Sequence, residues 1–470
     1  MSDLVTVILA AGKGTRMKSV LPKVLHQVGG KPMVQHVLDA AREAGARRNI
    51  VVVGFGAEFV RSAIRGAAEI VVQEEQLGTG HAVRMAEPLL RDERGTVMVL
   101  CGDTPLLTGT LLTRLYQAHK EAAAKATVLT AIMPDATGYG RVIRSAAGTV
   151  EKIVEEKDAT EAERQEKEVN SGIYCFEAQD LFSALAEVGC DNAQGEYYLP
   201  DVLAILRQRG EKIWALAAEN YEETIGVNSR LQLASAEKIL RHRKNLALME
   251  SGVTLMDPDT TFIDTDVSVG KDTVIYPFTW IEGASSVGEG CVLGPSSRFS
   301  DTKIGHEVTA QFVYAHECEI GDGTIVGPYV HLRPQTKLAA QVRVGNFVEV
   351  KNSSIGEGAK LPHLQYIGDC DMGAGVNMGC GTITVNYDGK AKYRTIIGND
   401  AFIGCNSNLV APVTVGDGAY VAAGSTITKD VPSKNLAVAR VRQKNIPDWP
   451  DKRQCGESQN KTGRKSPFVL

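Results

Sequence analysis

The sequence predicts an α/β doubly wound domain followed by a parallel β-helix of hexapeptide repeats. Two observations carry that reading. The first is a six-residue aliphatic period in the C-terminal half. It runs Ile263, Val269, Ile275, Ile281, Val287, Leu293; then Ile320, Val326, Leu332, Leu338, Val344, Val350; then Ile397, Ile403, Leu409, Val415, Val421, Ile427. Neither a helix, with a period of about 3.6, nor a strand, with a period of about 2, yields that spacing, whereas one aliphatic wedge per face of a triangular coil does. Gly follows many wedges (Gly270, Gly288, Gly294, Gly321, Gly327, Gly345, Gly398, Gly404, Gly416), as a tight corner with little room for a Cβ requires. Residues roughly eighteen apart then stack on one face, about 4.8 Å apart. The second observation lies in residues 1–228, where β-branched runs alternate with helical patterns in the manner of βαβ units.

In chain order, the strands are expected at Val5–Leu9, Ile50–Val53, Ile70–Val72, Val97–Cys101 and Thr127–Ile132, with helices such as Met33–Ala44 and Thr110–Ala124 between them. Ser229-Arg230-Leu231-Gln232 has the capping-box pattern and opens a helix that Gly252 stops. The domains therefore divide as 1–228, a linker helix over 229–252, a β-helix over 253–440 and a tail over 441–470. The tail is polar, and its end is expected to be disordered.

Composition excludes several classes. The 51 basic and 56 acidic residues are mixed along the chain and leave a net charge of −5, so no nucleic-acid or membrane-surface partner is indicated. The nine Cys include no C-x-x-C pair, which fits a reducing cytoplasm rather than a disulfide or zinc framework. The N-terminal apolar run ends near Ala11 and is too short to span a bilayer. A soluble cytoplasmic protein is expected.

Chemistry concentrates at two places. In Leu9-Ala10-Ala11-Gly12-Lys13-Gly14-Thr15-Arg16-Met17 the first strand ends in a Gly-rich turn, where an α/β sheet can present N–H groups to an anion. It matches neither a P-loop nor a dinucleotide fingerprint, and a plain structural turn fits the composition as well. Lys23 adds a cation or is a surface lysine. Asp103 ends the apolar run Val97–Gly102, so its carboxylate emerges at the edge of a central strand. A Mg²⁺ ion shared with substrate phosphates suits that place, and so does a helix N-cap. Gln73-Glu74-Glu75-Gln76-Leu77-Gly78-Thr79-Gly80-His81 supplies amides beside glycines.

In the β-helix, Arg333 and Lys351 each follow a wedge (Leu332, Val350), one coil apart, in the slot that elsewhere holds Gly. Stacked cations repel unless an anion bridges them; a solvated pair is the alternative. His363 lies two residues after Leu361 and should face outward. The six-residue register breaks between Met378 and Ile397, across a polar, basic stretch from Thr384 to Arg394 that reads as a loop, either a tolerated insertion or part of a binding face.

Together, L-A-A-G-K-G-T-R-M, L-P-K-V-L, Q-L-G-T-G-H-A, G-D-x-P-L, G-Y-G-R and N-A-Q-G-E-Y-Y resemble a sugar-1-phosphate nucleotidylyltransferase. With the C-terminal R-P, H-L-x-Y-I-G-D and T-I-x-x-N-Y-D-G motifs, residues 4–445 resemble the bifunctional bacterial N-acetylglucosamine-1-phosphate uridylyltransferase/glucosamine-1-phosphate N-acetyltransferase family. The resemblance implies a left-handed β-helix, acetyl-CoA and UTP as co-substrates, Mg²⁺, a homotrimer with the acetyl site between subunits, and supply of peptidoglycan and lipopolysaccharide precursors.

Carried over position by position, it implies that Leu9, Ala10, Ala11, Gly12 and Lys23 hold nucleotide phosphates and ribose, and that Gln73, Gln76, Gly78 and Thr79 read uracil. Asp103 and Asn228 bind Mg²⁺; Cys101 and Gly102 line the same site; Gly140, Glu155 and Asn170 hold the amino sugar. In the second site Arg333 and Lys351 hold the sugar phosphate, His363 is the general base, and Tyr366, Asn377 and Lys392 contact glucosamine-1-phosphate. Cys380, Asn386, Tyr387, Cys405, Ala423 and Arg440 contact acetyl-CoA. Cys101 stands where the family pattern has Tyr, Cys405 where it has Ser, and Cys380 where it has Ala. Two competing readings are a glucose-1-phosphate nucleotidylyltransferase with a regulatory β-helix, and a non-enzymatic scaffold. A zinc β-helix hydratase fails because His306, His316, His331 and His363 lack ligand spacing.

Overall fold

The computed structural model describes residues 3–64, 66–145, 149–192 and 194–450; the rest of the tail expected over 441–470, from 451 on, lies outside the described residues. Contacts divide the chain into two compact units, Met1–Ser285 and Ser286–Leu470.

The first unit is built on a mixed sheet of nine strands: β1 (Val5–Ala10), β2 (Arg48–Val53), β3 (Glu69–Val72), β4 (Thr96–Cys101), β5 (Ala126–Ile132), β6 (Arg141–Arg144), β7 (Val150–Val154), β8 (Glu168–Glu177) and β9 (Ile213–Ala217). The main order is β9-β5-β8-β4-β1-β2-β3, with the β6–β7 hairpin attached to β8. β1, β2, β3 and β4 pair in parallel, as the βαβ pattern predicts. β8 runs antiparallel between β4 and β5. The alternation of runs and helices does not reveal this reversal, because strand direction is set by the connection, not by strand composition.

Helices cover both faces. Val5, Val7, Val97, Val99 and Phe176 point to one face, against Ala82, Val83, Leu181 and Leu206. Leu4, Ile8, Met98 and Leu100 point to the other, against Val34, Val37, Leu38, Leu112 and Leu115. The period-2 alternation of continuous apolar strands thus feeds two cores, which is why these strands read as unbroken hydrophobic runs. Each fully buried Val, Leu or Ile contributes about 1.5–3 kcal/mol relative to exposure.

A helix follows at Arg230–Glu250 and ends before Gly252 (φ 96°), the left-handed stop that glycine tolerates. Ser229 Oγ accepts from Gln232 N at 3.3 Å, but Gln232 Oε1 takes the N–H of Asn228 at 2.8 Å. The expected capping box is therefore shifted by one residue at its return bond. Ala236 and Leu240 pack with Val28, Met33 and Leu106. On the same helix Lys244 Nζ donates to the Thr265 and Val267 carbonyls (2.9 and 2.6 Å), and Asn245 Nδ2 to those of Pro258 and Thr261 (2.8 and 3.1 Å). These bonds tie the helix to the first β-helix coils, which belong to this unit.

The second unit is a parallel β-helix. Ile320 pairs with Leu338, Val326 with Val344 and Leu332 with Val350, one coil of eighteen residues apart. The next coil is seventeen residues long, since Val344 pairs with Leu361 and Val350 with Ile367. From Ile320 on, the wedges of the second and third runs are buried. Fully buried Thr336, Thr382 and Ser407 close the coil from inside, each hydroxyl donating to the carbonyl three residues back at 2.7 Å. The expected loop starts too early: Thr384 is buried and pairs with Leu409, so it occupies a wedge position, and the excursion runs over 386–394. A Thr in a wedge slot hides the period from an aliphatic count, yet it satisfies its hydroxyl on Gly368 O at 3.0 Å.

Candidate active sites

In the first unit, β1 and β4 run side by side to their carboxyl ends, with Leu9 opposite Cys101. Gly102 N–H donates to Leu9 O at 2.9 Å, and a Cβ on Gly102 would stand 3.0 Å from that oxygen. This close pass carries the chain over the sheet edge and sets Asp103 at the switch between strands. Val227 N–H donates to Asp103 O at 2.8 Å, which brings the neighbouring Asn228 to the same point. Lys23 Nζ bonds both Asp103 Oδ2 and, at 2.8 Å, Asn228 Oδ1. Two hard oxygens therefore converge on one cation, a donor set that suits Mg²⁺ completed by phosphate oxygens and water. Among the described residues no three His, Cys, Asp or Glu side chains group as a metal cage.

A cavity of about 540 Å³ opens here, lined by Leu9, Thr79, Cys101, Asp103, Gly140, Glu155, Asn170 and Asn228 among others. The structure thus brings eight of the sixteen expected nucleotide-sugar residues to one wall. Tyr174, which the sequence did not single out, is buried beneath it and its hydroxyl exchanges hydrogen bonds with the Asn170 amide at 2.7 and 3.0 Å. Burial holds the Tyr174 hydroxyl and the Glu155 carboxyl above their usual values. Burial also pushes the Cys101 thiol up to about 12, with Asp103 adding to the rise, so it remains a neutral donor to Gly172 O at 3.5 Å.

The other expected residues belong to two backbone turns. Ala10 ends β1 and Ala11 and Gly12 follow it, where a Cβ on Gly12 would meet nothing within 4 Å. The space over that turn is open to a phosphate. Gln73 is buried, its Nε2 donating to Gly78 O at 3.2 Å and lying 3.0 Å from His81 Nδ1; Gln76 Nε2 meets the Gln73 and Glu74 carbonyls at 3.2 Å. Both side chains contact their own loop. Gly78 (φ 104°) admits no Cβ against Tyr197 O, and Thr79 Oγ1 accepts from Leu199 N at 3.1 Å.

In the second unit the register aligns one outward column. Asn346 pairs with His363; the neighbouring pairs Lys360–Asn377 and Met378–Ile403–Val421 place Cys380, Cys405 and Ala423 successively beneath it. His363 Nδ1 meets Asn346 Oδ1 at 2.6 Å. An amide oxygen only accepts, so Nδ1 is the donor in this bond, and Nε2 is the ring nitrogen that Asn346 leaves unengaged. Arg440 reaches the end of the column, donating to Ala423 O at 2.8 Å. His363 and Cys405 are exposed, as their place two residues after a wedge predicts.

The cations form a second group. Arg333 N–H donates to Val350 O at 2.8 Å, and Arg333 and Lys351 occupy equivalent slots of successive coils. Lys392, from the excursion, comes to Lys351: the Lys392 ammonium, then burial and the Arg333 charge, hold Lys351 below its usual value. Glu349 meets Arg333 at 2.8 Å. Asn386 is buried and gives its amide to Asp369 at 2.5 Å, with Tyr366 Oη at 3.4 Å; Asn352 donates to the other Asp369 oxygen at 2.5 Å. Tyr387, next to it, is exposed. The buried side chain of Asn386 thus anchors the excursion. Asn346 and Asp369 escaped the sequence reading because the coil between 344 and 361 is one residue short of the eighteen-residue rule; Glu349, opposite His331 in a regular coil, carried no local signal.

A doubly wound sheet with a cation-binding pair of oxygens at its edge, followed by a β-helix that carries an exposed His and a separate group of cations, is the architecture of a two-domain transferase. The nucleotidyl transferase family model matches residues 5–231, and the bacterial transferase hexapeptide (six repeats) model matches residues 394–429. Bifunctional protein GlmU of Halalkalibacterium halodurans is 54% identical over 445 residues, 95% of this chain and 98% of its own length. The protein of the same name from Exiguobacterium sp. is 56% identical over 440 residues, 93% of this chain and 97% of its own. A solved structure of UDP-glucose pyrophosphorylase complexed with UDP-glucose aligns at 18% identity and TM-score 0.42, over 52% of this chain and all of that one. The chain belongs to the GlmU family of bifunctional enzymes, uridylyltransferase and N-acetyltransferase in one polypeptide. Among the described residues no helix is long and apolar enough to cross a membrane.

Proposed function

We propose that the protein transfers acetyl from acetyl-CoA to glucosamine-1-phosphate and then uridylyl from UTP to the N-acetylglucosamine-1-phosphate formed, releasing pyrophosphate. The observations that carry the reading are the column Asn346–His363–Cys380–Cys405–Ala423 and, in the same β-helix, the Arg333, Lys351 and Lys392 cations, because a β-helix with only a regulatory role has no need of an oriented base. Arg333, Lys351 and Lys392 hold the sugar phosphate, and Tyr366 and Asn377 the sugar. His363 Nε2 takes a proton as the amine attacks the thioester, then returns it to the leaving thiolate. Cys380, Tyr387, Cys405, Ala423 and Arg440 contact acetyl-CoA, and Asn386 supports that wall.

In the first site the sugar phosphate oxygen attacks the α-phosphorus of UTP in line. Asp103 and Asn228 hold Mg²⁺, which would neutralise phosphate charge, while Lys23 and the turn Leu9–Gly12 position the nucleotide. Gln73, Gln76, Gly78 and Thr79 form the uracil pocket. Cys101, Gly102, Gly140, Glu155 and Asn170 form the sugar wall. The functional domains run 1–228 and 253–440, joined by the helix 229–252, in a cytoplasmic enzyme feeding cell-wall precursor synthesis. Exposed Tyr329, Phe347 and Leu364 share one corner of successive coils beside Asn346 and His363, which supports a homotrimer with the acetyl site between subunits.

The test separates the sites. Asp103→Ala is expected to abolish pyrophosphate release and leave CoA release within a few-fold of wild type. His363→Ala is expected to slow acetyl transfer by roughly 10²–10⁴ and leave uridylylation of supplied N-acetylglucosamine-1-phosphate intact. Loss of both activities in either folded variant refutes two independent sites.

A further inference from the structure

Lys23 lies inside the cation site. Its ammonium bonds both Asp103 and Asn228, and the side chains of Lys23 and Asp103 are only 15% and 17% exposed. An ammonium carries three N–H donors, and here two of them go to the two oxygens that suit a divalent ion. Its stem runs against Gly14 (φ 60°), where a Cβ would stand 2.6 Å from Lys23 Cβ. Two residues before Gly14 in the same turn, a Cβ on Gly12 would meet nothing within 4 Å. The lysine therefore has a second place to go, over the turn, on a flexible four-carbon stem.

We propose that Lys23 is an exchangeable internal cation: it occupies Asp103 and Asn228 until a divalent ion arrives with nucleotide phosphate, and it then moves onto that phosphate. The inference rests on reading Asp103 and Asn228 as the metal ligands. An ammonium and a divalent ion on one carboxylate oxygen face each other across a few ångströms of half-buried space, so either excludes the other. A triphosphate reverses the balance, because it gives the displaced ammonium an anion of higher charge. The consequence is an order of events: divalent ion alone binds weakly, divalent ion with nucleotide binds well, and exchange delivers the lysine to the reacting phosphates. Without Lys23 the divalent ion alone should bind more tightly.

The experiment is a Mn²⁺ titration of the full chain in the absence of nucleotide, read by the loss of the free-ion EPR signal, on protein whose fold is checked by circular dichroism. Lys23→Met is expected to bind one Mn²⁺ at least about tenfold more tightly than wild type, because a full opposing charge is removed at contact distance. Lys23→Arg keeps the charge and is expected to stay weak. Lys157→Met, a cation lining the same cavity, is expected to stay within twofold of wild type and so controls for net charge. Adding Asp103→Asn to Lys23→Met is expected to abolish the gain. If Lys23→Met binds no tighter than wild type while Asp103→Asn still weakens Mn²⁺ binding in the presence of UTP, the exchange is overturned and the ligand assignment stands. If Asp103→Asn leaves Mn²⁺ binding with UTP unchanged, the ligand assignment itself fails and the exchange falls with it.

Discussion

At the residue scale, the proposed acetyl transfer depends on the atoms that orient its side chains. Asn346 fixes the tautomer of His363 through a single acceptor at 2.6 Å. Removing it leaves the imidazole free to rotate and to place its proton on either nitrogen. Asn346→Ala is expected to lower the rate of acetyl transfer about 10- to 100-fold, the usual effect of misplacing a reacting group, with uridylylation unchanged. Asn346→Asp supplies a better test than activity alone. It keeps the acceptor but adds a negative charge that favours imidazolium, so the acidic limb of the pH–rate profile should move to higher pH. A profile that does not move means His363 is oriented by something else. In contrast, neutral Cys101 needs no test as a nucleophile, since its thiol is pushed up to about 12.

At the element scale, the start of the helix Arg230–Glu250 belongs to the first site. Gln232 accepts from the Asn228 N–H at 2.8 Å while its own N–H donates to Ser229 Oγ. A helix cap and a proposed metal ligand thus share one side chain. Gln232→Ala is expected to raise the Mg²⁺ concentration needed for half-maximal uridylylation several-fold. It should also cost roughly 1 kcal/mol of stability, the net weight of one hydrogen bond, since the Ser229 cap on the Gln232 backbone N–H remains. Gln232→Glu retains the acceptor oxygen and should restore most of the metal response; a Mg²⁺ titration of the three proteins decides. The β-helix makes the same point with glycine. A Cβ on Gly368 would lie 2.5 Å from Tyr366 Oη and 2.7 Å from Asn386 Nδ2, so the coil can hold Tyr366 beside the excursion only with no side chain there.

At the scale of the whole molecule, buried imidazoles set an acid limit on the first unit. His36 is buried with Nε2 on Val28 O at 2.7 Å, and burial lowers its pKa, with Lys31 lowering and Asp39 and Asp266 raising it. Burial likewise lowers His119, which faces Thr127, Glu177, Lys120 and Asp3. The folded protein then binds fewer protons than the unfolded chain, whose imidazoles titrate near about 6.5. Stability is fully present above that value and is lost as pH falls below it toward the depressed folded values. The slope is at most about 1.4 kcal/mol per pH unit for each group. Urea unfolding at pH 7.5, 6.5 and 5.5 should show a falling midpoint. His36→Gln combined with His119→Gln should flatten the fall, even if the variant is less stable at pH 7.5. An undiminished slope in that variant would shift the effect to other groups.

The sequence by itself determined the two folds and the positions of the candidate side chains within them. Six-residue wedges and β-branched runs are local consequences of what each residue buries, and the stops at Gly252 and at the sheet edge by Asp103 follow from backbone rules that act within a few positions. The outward direction of His363 and Cys405 was legible for the same reason, because one known wedge fixes the faces of its neighbours. Other features were decided only in three dimensions. The antiparallel entry of β8, the seventeen-residue coil that sets Asn346 on His363, and the wedge position of Thr384 all depend on which chain segment lies next to which. Lys23 on Asp103 and Asn228 joins residues 80 and 205 positions apart. Periodicity can say which way a side chain points, but only packing across the fold decides which partner is there to meet it.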